Sequence, residues 1–251
     1  MFTRALPLAG GHRYAPDYDA GVSTYLDQLD RHGLAGGVLV QPSFLGTDNG
    51  FLLAALRTHP DRLRGIAVVA PGSDLTALDG TGIVGLRLNL IGRPDPDFAD
   101  AVWLDHLAAV AQRGWQIEVQ AEARRLGSLL PPLLATGVDV VIDHFGKPDP
   151  VLGLEDPGFR TLLAAGASRR VWVKLSGAYR AGGSEVALAA VPLLKQAFGL
   201  DRLVWGSDWP HTQYEQTMDY GTARAMLDRW LPNDEDRHQV LTKTPARLFQ
   251  F

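Results

Sequence analysis

Leu203-Val204-Trp205-Gly206-Ser207-Asp208-Trp209-Pro210-His211 is a short apolar run that breaks into a polar loop. Leu203 to Trp205 read as a buried strand, Gly206 permits close packing or unusual dihedrals, and Pro210 rules out a regular strand beyond that point. Asp208 therefore stands where a strand gives way to a loop. In an α/β protein that is a site position, and a carboxylate there serves as a general base or a metal ligand. An isolated Ser-Asp pair can equally cap a turn or helix. The decision rests on what the rest of the chain brings to the same place.

The same pattern recurs upstream. Helical spacing of Val22, Tyr25, Leu26 and Leu29 predicts a helix over Gly21 to His32, followed by the apolar run Val38 to Gln41. Further strands are expected at Ile66 to Val69, Val84 to Asn89, Gln116 to Gln120, Val138 to His144 and Val171 to Ser176. Helical segments separate them at Phe51 to Leu56, Leu75 to Leu78, Ala101 to Gln112, Arg124 to Leu134, Phe159 to Ala165 and Val186 to Phe198. Two more helices, Thr217 to Arg229 and Asp234 to Thr242, flank Pro232. Strands alternating with helices make right-handed βαβ units and a parallel sheet. The count is seven strands. A doubly wound open sheet would carry a Gly-rich phosphate turn after its first strand, which Gln41-Pro42-Ser43 is not. The expected fold is α/β, a (β/α)8 TIM barrel with one strand unaccounted for.

Polar residues fall at the C-terminal ends of these strands: Gln41 and Ser43, Arg87 and Asn89, Glu118 and Gln120, His144, Lys174 and Ser176, and Asp208. Each has a plain alternative, such as an ion pair for Arg87, a satisfied core histidine for His144, or an outward-pointing Lys174. One polar residue at the same end of nearly every strand is better explained by a common mouth, where barrels of this kind build their sites.

Composition narrows the function classes. With 251 residues, 46% hydrophobic and 21% charged, the chain can bury a large core, and no linker-like stretch divides it, so residues 1–251 read as one domain. A net charge of -4 gives no footprint for nucleic acid or an anionic membrane. The chain has no cysteine, which removes disulfides and thiolate chemistry. With no signal peptide or spanning run in view, a cytoplasmic setting is expected.

Five motifs in order carry a family resemblance. They are Leu39-Val40-Gln41-Pro42-Ser43 with Gly46-Thr47-Asp48-Asn49; Gly85-Leu86-Arg87-Leu88-Asn89; Val141 through Asp149; Val173-Lys174-Leu175-Ser176-Gly177; and Trp205 through His211. Together they resemble the 2-pyrone-4,6-dicarboxylate lactonase-like family, a branch of the amidohydrolase superfamily of barrel hydrolases. The resemblance implies that Asp208 takes a proton from the hydrolytic water and that His144 polarises the lactone carbonyl, or binds metal in metal-dependent relatives. It implies that Arg87, Arg93 and Arg180 hold substrate carboxylates and that Tyr14 reaches the substrate from the first loop. Planar guanidinium forks suit that task because they bind carboxylates bidentately and stay charged when desolvated. Gln41, Ser43, Gln120, Ser176 and His211 complete the expected substrate wall. Gln120 falls where some relatives carry Tyr or His.

The family begins with a strand ending in His-x-His, and here Met1-Phe2-Thr3-Arg4 starts where the following loop should start. That strand is the one missing from the count. The expectation is an N-terminally truncated barrel, because an open seam leaves two unpaired strand edges. The alternative is a native seven-stranded form. His12 stands alone in a loop and does not replace the pair. A second copy covering the seam is one route to a homodimer.

The expected activity is metal-independent opening of an anionic, carboxylate-bearing lactone, a step of aromatic compound catabolism. No cofactor is assigned, although His144 and Asp208 are the pair able to hold zinc weakly. The alternatives are a zinc-dependent decarboxylase of the same superfamily and an impaired remnant that only binds carboxylates.

Overall fold

The computed structural model describes residues 1–251. Seven strands run parallel in chain order: β1 (Gly37–Val40), β2 (Leu63–Ala67), β3 (Ile83–Asn89), β4 (Gln116–Gln120), β5 (Asp139–Ile142), β6 (Val171–Leu175) and β7 (Leu203–Trp205). Each pairs with the next, and β1 does not pair with β7. The sheet is a curled TIM-barrel-like wall that lacks one strand, the strand missing from the sequence count. β2 lies about one turn of the pattern earlier than its apolar run suggested, because Leu63 and Gly65 extend the ladder against β1 while Val68 and Val69 leave it.

The helices are α1 (Val22–Arg31), α2 (Gly50–Thr58), α3 (Ala101–Gln112), α4 (Leu126–Ala135), α5 (Pro157–Ala165), α6 (Ser184–Phe198), α7 (Tyr220–Trp230), α8 (Asp234–His238) and α9 (Thr244–Leu248). Their starts follow local chemistry. Asp100, Asp156 and Asp219 each accept a backbone N–H of the first turn of α3, α5 and α7. The segment between α8 and α9 that the sequence reads as ordinary helix is a π turn over Gln239–Lys243. No helix is long and apolar enough to cross a membrane.

Side chains of a strand alternate between faces. Leu39, Leu86, Ile117, Val119, Val140, Ile142, Val173, Leu175 and Leu203 belong to the large core packed with the helices. The opposite face is layered. At its base Ile66, Val84, Val141, Trp172 and Val204 pack on Leu248 and Phe249, so the end of the chain plugs the barrel floor. Above that floor Arg87, Glu118 and Lys174, with Arg87 in register with Glu118, bring charged side chains inward, and the strand ends carry the polar groups of the mouth.

The N-terminal segment covers part of the mouth. Phe2 pairs with Ala20 in an antiparallel bridge, and Phe2, Phe44 and Leu45 form a small core with Tyr14, Tyr18 and Trp209 against it. At the seam, Tyr25 of α1 leans on β1 so closely that a Cβ on Gly37 would lie 2.2 Å from its hydroxyl.

Candidate active site

The cavity at the mouth continues along the seam and encloses about 1310 Å³. Its wall includes Tyr14, Ser43, Arg87, Gln120, His144, Ser176, Arg180 and Asp208. The roles expected for these residues require first that they share one space, and they do.

Asp208 follows β7 in the left-handed region, φ 59°. Its Oδ2 accepts from the Tyr179 hydroxyl at 2.5 Å and from Arg180 Nε at 2.6 Å. Arg180 also donates through Nη2 to the Thr212 carbonyl at 2.7 Å, and its guanidinium lies 5.2 Å from the Tyr179 ring and 5.0 Å from the Tyr214 ring. A cation held by a carboxylate, a carbonyl and two aromatic rings has little rotational freedom. Burial pushes the Asp208 carboxyl up, but His144, Arg180 and the Tyr179 hydrogen bond outweigh it and leave it below its ordinary range. Asp208 is ionised at neutral pH.

His144 is 3% exposed and follows β5. Nδ1 lies 2.9 Å from Ser176 Oγ, and Nε2 lies 3.9 Å from Asp208 Oδ1. Burial lowers its pKa to about 4 against the opposing pull of Asp208, so the ring is neutral. If Ser176 Oγ is the donor to Nδ1, the ring proton sits on Nε2, the nitrogen that faces Asp208. His144, Phe145, Gly146 and Lys147 are successive left-handed residues, with φ of 50°, 56°, 79° and 52°. Such a run is held only where its surroundings over-determine it. Phe145 is clamped edge-on against Trp230, and the Lys147 carbonyl accepts from Ala123 N–H. Gly177 closes the space beneath: a Cβ there would lie 2.9 Å from His144 Nδ1 and 3.1 Å from Asp208 Oδ2.

Beneath this pair lies a buried four-charge cluster. Arg87 contacts Asp143 at 2.5 Å and Glu118 at 3.3 Å, and Lys174 contacts both carboxylates at 2.7 Å. Burial pushes both carboxyls up; in Asp143 the Lys174 and Arg87 charges prevail and hold it well below its ordinary value, whereas Glu118, which also faces Asp143, stays raised. Two cations and two anions balance.

The amidohydrolase family model matches residues 6–251. The chain belongs to the amidohydrolase family. Among its relatives, the 4-sulfomuconolactone hydrolase of Hydrogenophaga intermedia is 28% identical, with the match spanning 98% of this chain and 84% of that protein. The 2-pyrone-4,6-dicarboxylate hydrolase of Comamonas testosteroni is 29% identical across 97% and 85%. The crystal structure of a probable 2-pyrone-4,6-dicarboxylic acid hydrolase from Acinetobacter baumannii, with citric acid bound, is 40% identical, covers 100% of this chain and 96% of that one, and superimposes with a TM-score of 0.96.

Zinc takes about three or four protein donors. In this amidohydrolase-family chain no group of three His, Asp or Glu side chains is placed to hold a metal ion. His144 and Asp208 approach each other, but Asp208 Oδ2 is occupied by Tyr179 and Arg180. The residues present do not fit a zinc ion.

The other expected site residues take the following positions. Gln41 is off the cavity wall; its amide donates to the Gly46 and Asp48 carbonyls and pins the loop after β1. Arg93 is exposed in the loop after β3 and is also off the wall. His211 stands behind the wall with Nδ1 3.1 Å from the Tyr179 hydroxyl. Arg87 borders the cavity, but its charge is committed to Asp143 and Glu118. Tyr14 reaches the rim and donates to Glu215 at 2.8 Å, as Tyr18 does at 2.7 Å. Lys174 points inward, and the outward alternative falls. Sequence reasoning missed Tyr179 and Thr212, which lie in loops whose folding no strand-end rule describes. It also missed Asp143, although that residue directly precedes His144 at a strand end.

Removing one member of the buried cluster strands its partner's charge. Glu118→Ala is expected to lower stability by about 3–5 kcal/mol in urea denaturation, while replacing Glu118 and Lys174 together by Leu and Met costs markedly less.

Proposed function

We propose that this protein is a hydrolase that opens the ring of an anionic lactone. One observation carries the reading: an ionised carboxylate has one oxygen fixed by Tyr179 and Arg180 and the other facing the neutral ring of His144 across 3.9 Å. That spacing is too long for a direct hydrogen bond and suits an oxygen placed between the two groups.

In this reading Asp208 Oδ1 accepts a proton as water attacks the lactone carbonyl carbon. His144 Nε2–H donates to the carbonyl oxygen as it gains negative charge. The tetrahedral intermediate collapses with cleavage of the ring C–O bond, and the leaving oxygen takes the proton back from Asp208. The product is the ring-opened acid, which loses its remaining water-derived proton to solvent and leaves as the carboxylate. Arg180 Nη1 makes no hydrogen bond within the protein and is free for an acid group of the substrate. An anion bound there would draw part of the guanidinium's field away from Asp208 and raise its basicity, coupling substrate binding to activation of the base.

The relatives support the substrate class: two are lactone hydrolases by name, and the A. baumannii structure holds a tricarboxylic acid. No feature of the donor set favours the zinc-dependent decarboxylase.

The test is acid release from pyrone, muconate-derived and sugar-acid lactones, followed with a pH indicator. Asp208→Asn is expected to lower kcat by about 10²–10⁴-fold with the fold intact by circular dichroism. Chelator is expected to leave the wild-type rate unchanged, and a rate that chelator abolishes would sink the metal-free route.

The pH profile follows from the neutral imidazole. Because burial holds His144 near 4, the ring stays neutral, with Nδ1 open to a hydrogen bond from Ser176, as pH falls through the ordinary histidine range. Asp208, held below its ordinary value, stays ionised over the same range. The rate kcat/KM should persist through pH 6.5 and fall only near pH 4; an acid limb centred near 6.5 would contradict this assignment.

A further inference from the structure

The Tyr179 hydroxyl has one proton and two neighbours. Its oxygen lies 2.5 Å from Asp208 Oδ2 and 3.1 Å from His211 Nδ1. An ionised carboxylate only accepts hydrogen bonds, so the phenol proton is committed to Asp208. Burial and the neighbouring carboxylate push the phenol far above its ordinary pKa, and it keeps that proton at neutral pH. Toward His211 the phenol oxygen can then only accept. The proton in that contact belongs to Nδ1.

The other ring nitrogen agrees. His211 is 2% exposed, and its Nε2 is buried with no hydrogen-bond partner. Burial lowers the pKa of the ring against the pull of Asp208, and Arg180 lowers it further while Asp219 and Glu215 oppose, so the ring is neutral at neutral pH. A neutral ring protonated at Nε2 would bury an unpaired N–H and leave a bare Nδ1 competing with Asp208 for the phenol proton. Protonation at Nδ1 avoids both. The fold also forces the contact. His211 N–H donates to the Asp208 carbonyl at 2.8 Å, and both residues are left-handed, with φ of 62° and 59°. Tyr179, from the loop after β6, is fixed by the Tyr214 ring at 4.5 Å and the Arg180 guanidinium at 5.2 Å. Asp208 and His211 are thus joined twice, once through the backbone and once through Tyr179.

We propose that His211 is a positioning residue for the general base, donating from Nδ1 to the Tyr179 oxygen and so fixing the phenol proton on Asp208 Oδ2. The inference rests on the lactonase reading for the step it serves. A phenol that accepts a hydrogen bond is a stronger donor, so His211 tightens the hold of Tyr179 on Oδ2. With Oδ2 taken by Tyr179 and Arg180, the carboxylate does not rotate, and Oδ1 remains the oxygen that takes the proton from water. His211 is off the cavity wall, whereas Tyr179 is on it. Its effect on the reaction passes through Tyr179.

The experiment has two arms. In the first, nitrogen-15 NMR of the histidine rings at neutral pH reads which nitrogen of each carries the proton. The chain has seven histidines, and His211 is the ring whose signal is lost in His211→Asn. A proton on His211 Nδ1 upholds the inference, and a bare Nδ1 overturns it. The second arm measures kcat and KM for lactone opening. His211→Leu is expected to lower kcat about tenfold with KM little changed. His211→Asn recovers most of that loss, because its amide N–H stands in for Nδ1–H and asparagine tolerates the left-handed backbone. Tyr179→Phe is slower still, and adding His211→Leu to it costs less than about twofold more, since the path to Asp208 is already cut. Losses that multiply in the double variant, or an Asn variant as slow as the Leu one, overturn the inference. Should His211→Leu not fold, the tautomer decides. If the wild type opens no lactone, the lactonase reading fails and the hydrogen-bond chain still stands or falls on the tautomer; a bare Nδ1 in an active enzyme overturns the chain alone.

Discussion

The site depends on the balance of charge at the waist of the barrel. Arg87, Glu118 and Lys174 of β3, β4 and β6 and Asp143, the residue after β5, neutralise one another in the interior. Isolated buried charges would be expelled or neutralised. Together they tie β3, β4, β5 and β6 across the interior rather than along the sheet. Because Asp143 directly precedes His144, the cluster also anchors the start of the left-handed turn that presents the imidazole. A hydrophobic filling of equal volume would hold the strands together but would not orient that residue.

Above the waist, His144 and Asp208 have opposite electrostatic settings within one small space. His144 is desolvated and neutral, while Asp208 is largely enclosed yet ionised, because His144, Arg180 and Tyr179 compensate its charge. Burial alone would have driven both toward neutrality. The difference comes from partners on the loops after β6 and β7, so the chemistry belongs to loop geometry even though the strands deliver the residues.

This division also explains what the sequence made legible. Buried parallel strands are continuous apolar runs and the helices between them keep helical spacing, so the order of elements, the seven-strand count and the common mouth could be read directly. His144, Ser176 and Asp208 followed because each ends a strand. Strand-end polarity locates a residue at the mouth but does not say which way it faces. Gln41 occupies such a position and spends its amide on two loop carbonyls, and His211 lies one layer behind the tyrosine it touches. Arg87 illustrates the same limit, since its partners come from β4 and β5 and no local pattern pairs it with them. Tyr179 and Thr212 were invisible because the chain reversals that bring them inward depend on loop packing.

The open seam sets a gradient of protection across the sheet. β4 has neighbours on both sides, but β7 has one, and it is only three residues long. Backbone groups at a free edge open more readily than those in the middle of a ladder. Asp208 is mounted on that edge strand, whereas His144 rides on β5 between two paired neighbours. A local opening of β7 would carry the carboxylate away from the imidazole while β3 to β6 and their charged waist stay folded. Separation of Asp208 from His144 and global unfolding are then distinct events, the first governed by the shortest strand of the wall and the second by its core.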